Sequence, residues 1–190
     1  MSKKTLLLLP LLLVLSACSA LKKAPTPTPT LDTAHWKIYQ DLNHHFSFVY
    51  PKAYDDHPIC ALHIQGGDLA TPEFVVRIDN NFIKVTLTPL ADVKDTDPQS
   101  AVSNLRSDMG GLYQISFDDP VKRMVDGMPA LSQRYYIAYN KDGYQESTFF
   151  KKNGVLYTIF VQTPSTCDGY PNAPTTSEAY QRILESFIIQ

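Results

Sequence analysis

The run VLYTIFVQT, Val155 to Thr163, narrows what the surrounding chain can fold into. Val155, Tyr157, Ile159 and Val161 fall on one face of a strand, and Leu156 and Phe160 fall on the other. A strand that is apolar on both faces needs cover on both sides. Pro164 ends it, because proline has no N–H to give a sheet ladder. Upstream, Asp126-Gly127, Asp142-Gly143 and Asn153-Gly154 separate strand-like runs near 121–125, 129–140, 144–152 and 155–163. Such pairs favour tight hairpin turns, so the spacing predicts an antiparallel meander.

More strands precede it. WKIYQD (36–41) and FSFVYP (46–51) alternate, CALHIQ (60–65) reads as a short strand ending at Gly66-Gly67, and EFVVRI and FIKVTLTPL flank a turn at Asp79-Asn80-Asn81. Two helices interrupt the pattern. Asp97 is a helix cap with Pro98 in the first turn, Val102, Leu105 and Met109 at helical spacing, and Gly110-Gly111 as the stop. Near the end, Thr175 and Glu178 form a capping box ahead of a stripe of Tyr180, Ile183, Leu184 and Phe187. Two helices with a long, mainly antiparallel sheet predict an α+β layered domain; a small β-barrel with a C-terminal helix is the alternative.

The N-terminus is of another kind. MSKK is followed by TLLLLPLLLVL, eleven apolar-rich residues, too few for a spanning helix of about 20. A basic start, a short greasy core and small residues at its end describe a secretory signal. Leu15-Ser16-Ala17-Cys18 resembles the lipobox of bacterial lipoproteins, which implies cleavage before Cys18 and acylation of that cysteine. The alternative is an ordinary signal with a chance cysteine. Pro25, Pro27 and Pro29 alternate with threonine, a composition that favours extended polyproline II. The expected organisation is a lipoprotein signal peptide at 1–17, a lipidated cysteine and Pro/Thr-rich tether at 18–35, and one globular domain at 36–190.

Charge and cysteine usage bound the partners. Of 17 basic and 19 acidic residues the signal removes Lys3 and Lys4, leaving 15 against 19, a net charge of −4. No basic stripe appears, which argues against a nucleic-acid partner. With Cys18 taken by lipid, Cys60 and Cys167 remain. Two cysteines in an exported domain read as one disulfide, the alternative being two separate buried thiols.

FSFVYP, the helix after DTDPQSA, NGVLYTIF and the ending ILESF resemble the PsbP-like family. The similarity runs from Phe46 to Ile188 in the order of elements. It implies an antiparallel sheet sandwiched by helices and a non-enzymatic accessory role at a membrane surface, and it supplies no catalytic residue. Tyr54 stands where many relatives carry tryptophan, and the Cys60/Cys167 pair is not general to the family.

No nucleophile elbow, phosphate loop, dinucleotide fingerprint or zincin motif is present in the sequence. If the chain doubled back after Pro51, one of His44 and His45 would meet Asp55 or His57 and hold zinc, but neighbours on a strand point to opposite faces, and His44, His45 and His57 read as surface histidines. Asp92, Asp95 and Asp97 lack the glycine and glutamate of a calcium loop, and Asp97 reads as a cap. No metal or cofactor is therefore expected. Aromatic strand residues are usually core, yet Tyr135, Tyr139, Tyr144 and Tyr157 are the candidate binding surface, because exposed tyrosines suit protein contacts. The functional expectation is a membrane-anchored, extracytoplasmic lipoprotein. It would be held to the cell membrane or an outer membrane through lipid on Cys18, with a non-catalytic, partner-binding role in the envelope. The alternative is a small-ligand-binding or carrier lipoprotein.

Overall fold

The computed structural model describes residues 34–65, 74–78, 82–89, 97–111, 114–138 and 143–190. The signal segment, Cys18, nearly all of the tether, Gly66-Gly67, the Asp79–Asn81 turn, Asp92, Asp95, Tyr139 and Asp142 lie outside the described residues. In chain order the elements are β1 (Trp36–Asp41), β2 (Phe46–Pro51), a short 3-10 turn (Lys52–Asp56), β3 (His63–Gln65), β4 (Phe74–Ile78), β5 (Ile83–Pro89), α1 (Pro98–Gly110), β6 (Ile115–Phe117), β7 (Val121–Val125), β8 (Met128–Ile137), β9 (Tyr144–Lys152), β10 (Val155–Thr163), α2 (Thr176–Ser186) and β11 (Ile188–Ile189). Residues 31–190 form one compact unit.

The strands make two antiparallel sheets. The large one runs β3-β4-β5-β10-β9-β8-β6, with β7 also on β8; the small one runs β1-β2-β11. The large sheet is open, with its ends unjoined, which overturns the barrel alternative. The architecture is a sheet-dominated α+β fold.

β10 is central and covered on both faces, as its sequence demands. On one face Tyr157, Ile159 and Val161 align with Leu87, Val85 and Ile83 of β5, and Tyr157 pairs Phe150 of β9. This row packs with Ala179, Tyr180, Ile183 and Leu184 of α2 and with Phe46, Phe48 and Tyr50 of the small sheet. On the opposite face Leu156, Phe149 and Leu131 lie under Ala101, Val102 and Leu105 of α1. Arg106 of α1 ties that helix down by donating to the Gln133 side chain (2.7 Å) and the Asp118 carbonyl (2.6 Å).

Phe187, just after α2, joins the two sheets. It stacks on Phe46 (5.4 Å, 7°) and Phe48 (5.9 Å, 10°) and meets Phe150 (5.5 Å, 76°) and Tyr157 (5.8 Å, 73°) edge-on. Offset stacks and T-shaped contacts are the arrangements favoured by the ring quadrupole.

Local signals behave as their chemistry requires. Asp97 accepts from the backbone N–H groups of Gln99 and Ser100 at the start of α1, and Thr175 and Glu178 form the reciprocal capping box of α2. Asp126 and Gly127 take φ of +48° and +71°, and Asn153 and Gly154 take +52° and +76°, the left-handed pairs that close two-residue hairpins. The strand expected from Cys60 begins only at His63. Cys60 and Ala61 instead donate their backbone N–H to the His57 carbonyl, which turns the chain there.

Cys60 and Cys167 are buried and bridged, with Cα atoms 6.1 Å apart across 107 residues of sequence. The bridge fastens the segment after the 3-10 turn to the loop between β10 and α2. Nearby, Tyr54 donates to the Pro174 carbonyl (3.2 Å) and His57 packs edge-on against Tyr170 (5.2 Å). Closing so long a loop is worth up to about 4–5 kcal/mol in the chain-entropy model. A Cys60→Ala/Cys167→Ala variant is expected to melt lower, at roughly 2–4 °C per kcal/mol for a domain of this size. Dithiothreitol should lower the melting temperature of the parent and leave the variant unchanged. Equal melting of parent and variant under oxidising conditions would remove the bridge from the stability argument.

Candidate functional site

The Asp126-Gly127 turn folds β7 back on β8, with Arg123 paired to Ala130 and Lys122 to Leu131. β7 has no strand on its other side among the described residues, so one row of its backbone N–H and C=O groups is an open edge. Val121, Lys122 and Met124 are exposed. Between this hairpin and the start of α1 lies a groove of about 440 Å³, lined by Pro98, Lys122, Arg123, Met124, Pro129 and Leu131, among others. Its walls combine apolar side chains with Lys122 and with Asp97, the residue that caps α1; Arg123, in the opposite strand phase, turns its guanidinium to the other face of the sheet.

Behind β7 sits a buried polar cluster. Glu146 on β9 shares its face with Thr148 and Phe150, so a row that is apolar at one end of the strand turns polar at the other. Glu146 is 2% exposed. Its Oε1 accepts from Arg123 Nη2 (3.1 Å), and its Oε2 accepts from Arg134 Nε (2.9 Å) and Nη2 (2.7 Å). Although burial opposes it, Glu146 holds the Arg134 guanidinium more firmly protonated than usual. The same guanidinium lies 4.0 Å from the centre of the Tyr144 ring.

The cluster reaches α2 through three links. Arg123 Nη1 donates to the Gln181 side chain (3.2 Å), Tyr144 and Ser177 hydroxyls meet at 2.8 Å, and Thr148 and Tyr180 hydroxyls meet at 2.6 Å. Thr148 also meets Ser132 (2.5 Å), and Tyr180 donates to the Ile159 carbonyl (3.3 Å). Burial, and then the charge of Glu146, push the Tyr180 phenol far above its ordinary range. Two guanidinium groups on one carboxylate leave this corner with an excess positive charge. The arrangement ties β7 to the body of the domain, while Val121, Lys122 and Met124 face solvent.

Of the expected tyrosine surface, Tyr139 lies outside the described residues, and Tyr135, Tyr144 and Tyr157 do not share one exposed face. Tyr135 and Tyr157 are buried and lie on opposite faces of the large sheet, Tyr135 against Phe117 (5.8 Å) and Tyr157 stacked on Phe150 (5.1 Å). Burial pushes both phenols up to about 12, with the Asp126 charge adding to the effect at Tyr157. Tyr144 is half-buried under Arg134. The cause is register, which puts positions 135 and 157 in opposite phase across three strands.

The histidines are also redistributed. His44 is buried rather than on the surface, its Nδ1 2.9 Å from Asp41 Oδ1. Asp41 also accepts from the backbone N–H of Asn43 and His44 and from the Tyr39 hydroxyl (2.9 Å). The cluster therefore organises the β1–β2 turn. His45 is exposed, and His57 packs beside the disulfide, 3.6 Å from Cys60 Sγ. Among the described residues no group of three His, Cys, Asp or Glu side chains is placed to hold a metal. Asp97 is spent on capping α1.

Sequence reading missed the Arg123–Glu146–Arg134 cluster. Its one visible signal is the phase of the charges: Glu146 alternates with Thr148 and Phe150, and so lies on the inward face.

Removing Glu146 strands two arginines that are partly exposed, so Glu146→Ala is expected to cost near the lower end of the roughly 3–5 kcal/mol of a broken buried pair. Urea unfolding measures it, and a loss below about 0.5 kcal/mol, the size of an ordinary surface change, would mean that the cluster is not a brace. A second prediction concerns Asp41. Burial would raise its pKa, but the His44 backbone N–H, the Tyr39 hydroxyl and the His44 ring outweigh it and hold the carboxyl below its ordinary value. A depressed folded pKa contributes stability above the unfolded value of about 3.9 and loses it as pH falls through the folded value. The stability gap between parent and Asp41→Asn should thus shrink between about pH 4 and pH 2; a gap that widens there would reverse the assignment.

No family model and no curated protein sequence matches the chain. Among solved structures it is similar to cyanobacterial PsbP (CyanoP) from Synechocystis sp. PCC 6803, at a TM-score of 0.49 and 14% identity over 86% of this chain and 97% of that one. It is also similar to LpqN, involved in cell envelope biogenesis of Mycobacterium tuberculosis, at a TM-score of 0.35 and 11% identity over 85% of this chain and 81% of that one. At these scores and identities neither neighbour lends this chain a role.

Proposed function

We propose that the chain is a lipid-anchored protein of the bacterial cell envelope whose folded domain binds a partner protein without catalysing a reaction. The anchor is Cys18 in the Leu15-Ser16-Ala17-Cys18 box, and the Pro/Thr-rich segment sets the domain off the bilayer. No helix among the described residues is long and apolar enough to cross a membrane.

The observation that carries the partner-binding reading is the open edge of β7 beside its groove. An unpaired strand edge takes an extended peptide by main-chain hydrogen bonds, and a flanking pocket reads alternate side chains. Lys122, exposed on the groove side, selects the partner. Charges on an edge strand discourage self-pairing. Two copies of this edge would set cation against cation, while an acidic segment would be attracted. Glu146 is engaged by two arginines, Asp41 by a turn, and Cys60 and Cys167 by each other.

A photo-crosslinking residue at position 124 in living cells should yield one protein adduct, absent when the residue is placed at exposed position 151 and diminished by Lys122→Glu. In the same cells the parent should incorporate labelled fatty acid and shorten, and Cys18→Ser should do neither. Equal adducts at both positions would end the edge assignment. Cys18→Ser processed and membrane-retained like the parent would end the anchor assignment.

A further inference from the structure

The small sheet has an inner and an outer face. Tyr39, Phe46, Phe48 and Ile189 face the core, with Tyr39 packed on Phe46 (5.8 Å) and Phe48 (5.1 Å). Strand alternation then puts Trp36, Ile38 and Gln40 of β1, Ser47 and Val49 of β2 and Ile188 of β11 on the outer face. Ile38 is 62% exposed, Ile188 51%, and Leu42, in the adjoining turn, 71%. These are three of the most exposed large aliphatic side chains described, and they border one sheet of three strands. Trp36 is half-buried, and the Arg182 guanidinium stands 5.9 Å from its ring centre.

We propose that this outer face rests on the lipid surface to which the chain is anchored. The proposal depends on the anchor reading above and adds the orientation of the domain. Three observations favour lipid over a protein. First, the described residues begin at Ala34, two residues before Trp36, so β1 is the first described element after the tether. A tether from Cys18 to Ala34 extended as polyproline II, at about 3.1 Å per residue, would span about 50 Å, which keeps the bilayer within reach. Second, the polar residues at its centre, Gln40 and Ser47, are neutral, and Val49 of the same face is buried, so the exposed apolar contact falls to Ile38, Leu42 and Ile188 at the border. The charges bordering it are compensated: Arg182 by Glu185 (3.6 Å) and Lys37 by Asp55. Third, tryptophan is the amphipathic ring that suits the headgroup level, and Trp36 stands on this face.

Tethering makes a weak contact sufficient. A linker that holds the face near the bilayer gives it a high effective concentration, so three aliphatic side chains need not bind vesicles unaided. Docked this way, the small sheet would be membrane-proximal.

Trp36 is the only tryptophan in the sequence, so its emission reports this face alone. The test uses the full lipidated chain in phosphatidylcholine vesicles whose acyl chains are brominated, with unbrominated vesicles as control. Emission is expected to fall in brominated vesicles, and acrylamide quenching is expected to be weaker on vesicles than in detergent. The triple variant Ile38→Ser, Leu42→Ser, Ile188→Ser changes only exposed side chains. It should still float with vesicles and lose both effects, with the melting temperature of the parent as the folding control. Protein that floats with vesicles yet shows no bromine quenching overturns the docking proposal and leaves the anchor standing. Protein that does not float overturns the anchor and the docking together. Quenching that is unchanged in the triple variant overturns the assignment of the face, and acrylamide shielding that persists in detergent replaces lipid with a second copy of the chain.

Discussion

The structure depends on one aromatic contact made from two directions. Phe187 lies flat against Phe46 and Phe48 of the small sheet and edge-on against Phe150 and Tyr157 of the large one. Through it, two sheets that exchange no strand share one core. Its position is set by α2, whose capping box fixes where the helix starts and whose buried stripe fixes how it lies. The disulfide acts on the same layer, since Cys167 sits in the loop that delivers α2. Strand β10, apolar on both faces, then has α2 and the aromatic cluster on one side and α1 on the other.

The polar cluster and the aromatic cluster are two solutions to one problem: attaching α2 to the large sheet. Along β9 the same inward row reads Phe150, Thr148, Glu146, so the attachment passes from apolar packing to hydroxyl contacts to a charge cluster within five residues. Charges taken from water need counter-charges and hydrogen bonds, and Glu146 has both from Arg123 and Arg134. Because Arg123 belongs to β7, the brace also stiffens the edge that faces solvent. The functional surface proposed for that edge is thus an extension of how the helix is held.

Local signals in the sequence were legible where local chemistry decides. Asp97-Pro98 and Thr175/Glu178 mark helix starts because only those side chains reach the free N–H groups of the first turn. Asp126-Gly127 and Asn153-Gly154 mark hairpins because both positions need positive φ. Elements of two or three residues, β6 and β11, carry too little pattern to be read, and they form because partners elsewhere in the chain, β8 and β2, receive them. The tyrosines illustrate the remaining difficulty. Tyr135 and Tyr157 are both strand residues in aromatic runs, and nothing local states that they face opposite ways; the register between β8, β9 and β10 states it.

The amino-acid order alone determined the strand alternation, the turn positions, the helix caps and the need for cover on both faces of β10, since each follows from side chains within a few residues of one another. It also placed the lipobox-like segment and the pairing candidates Cys60 and Cys167. Only the tertiary structure decided which charges meet, that His44 turns inward to Asp41, that β7 is an edge among the described strands, and that Ile38, Leu42 and Ile188 border one outward face. Those outcomes depend on contacts between residues far apart in sequence, and such contacts exist only once the sheets and helices have packed.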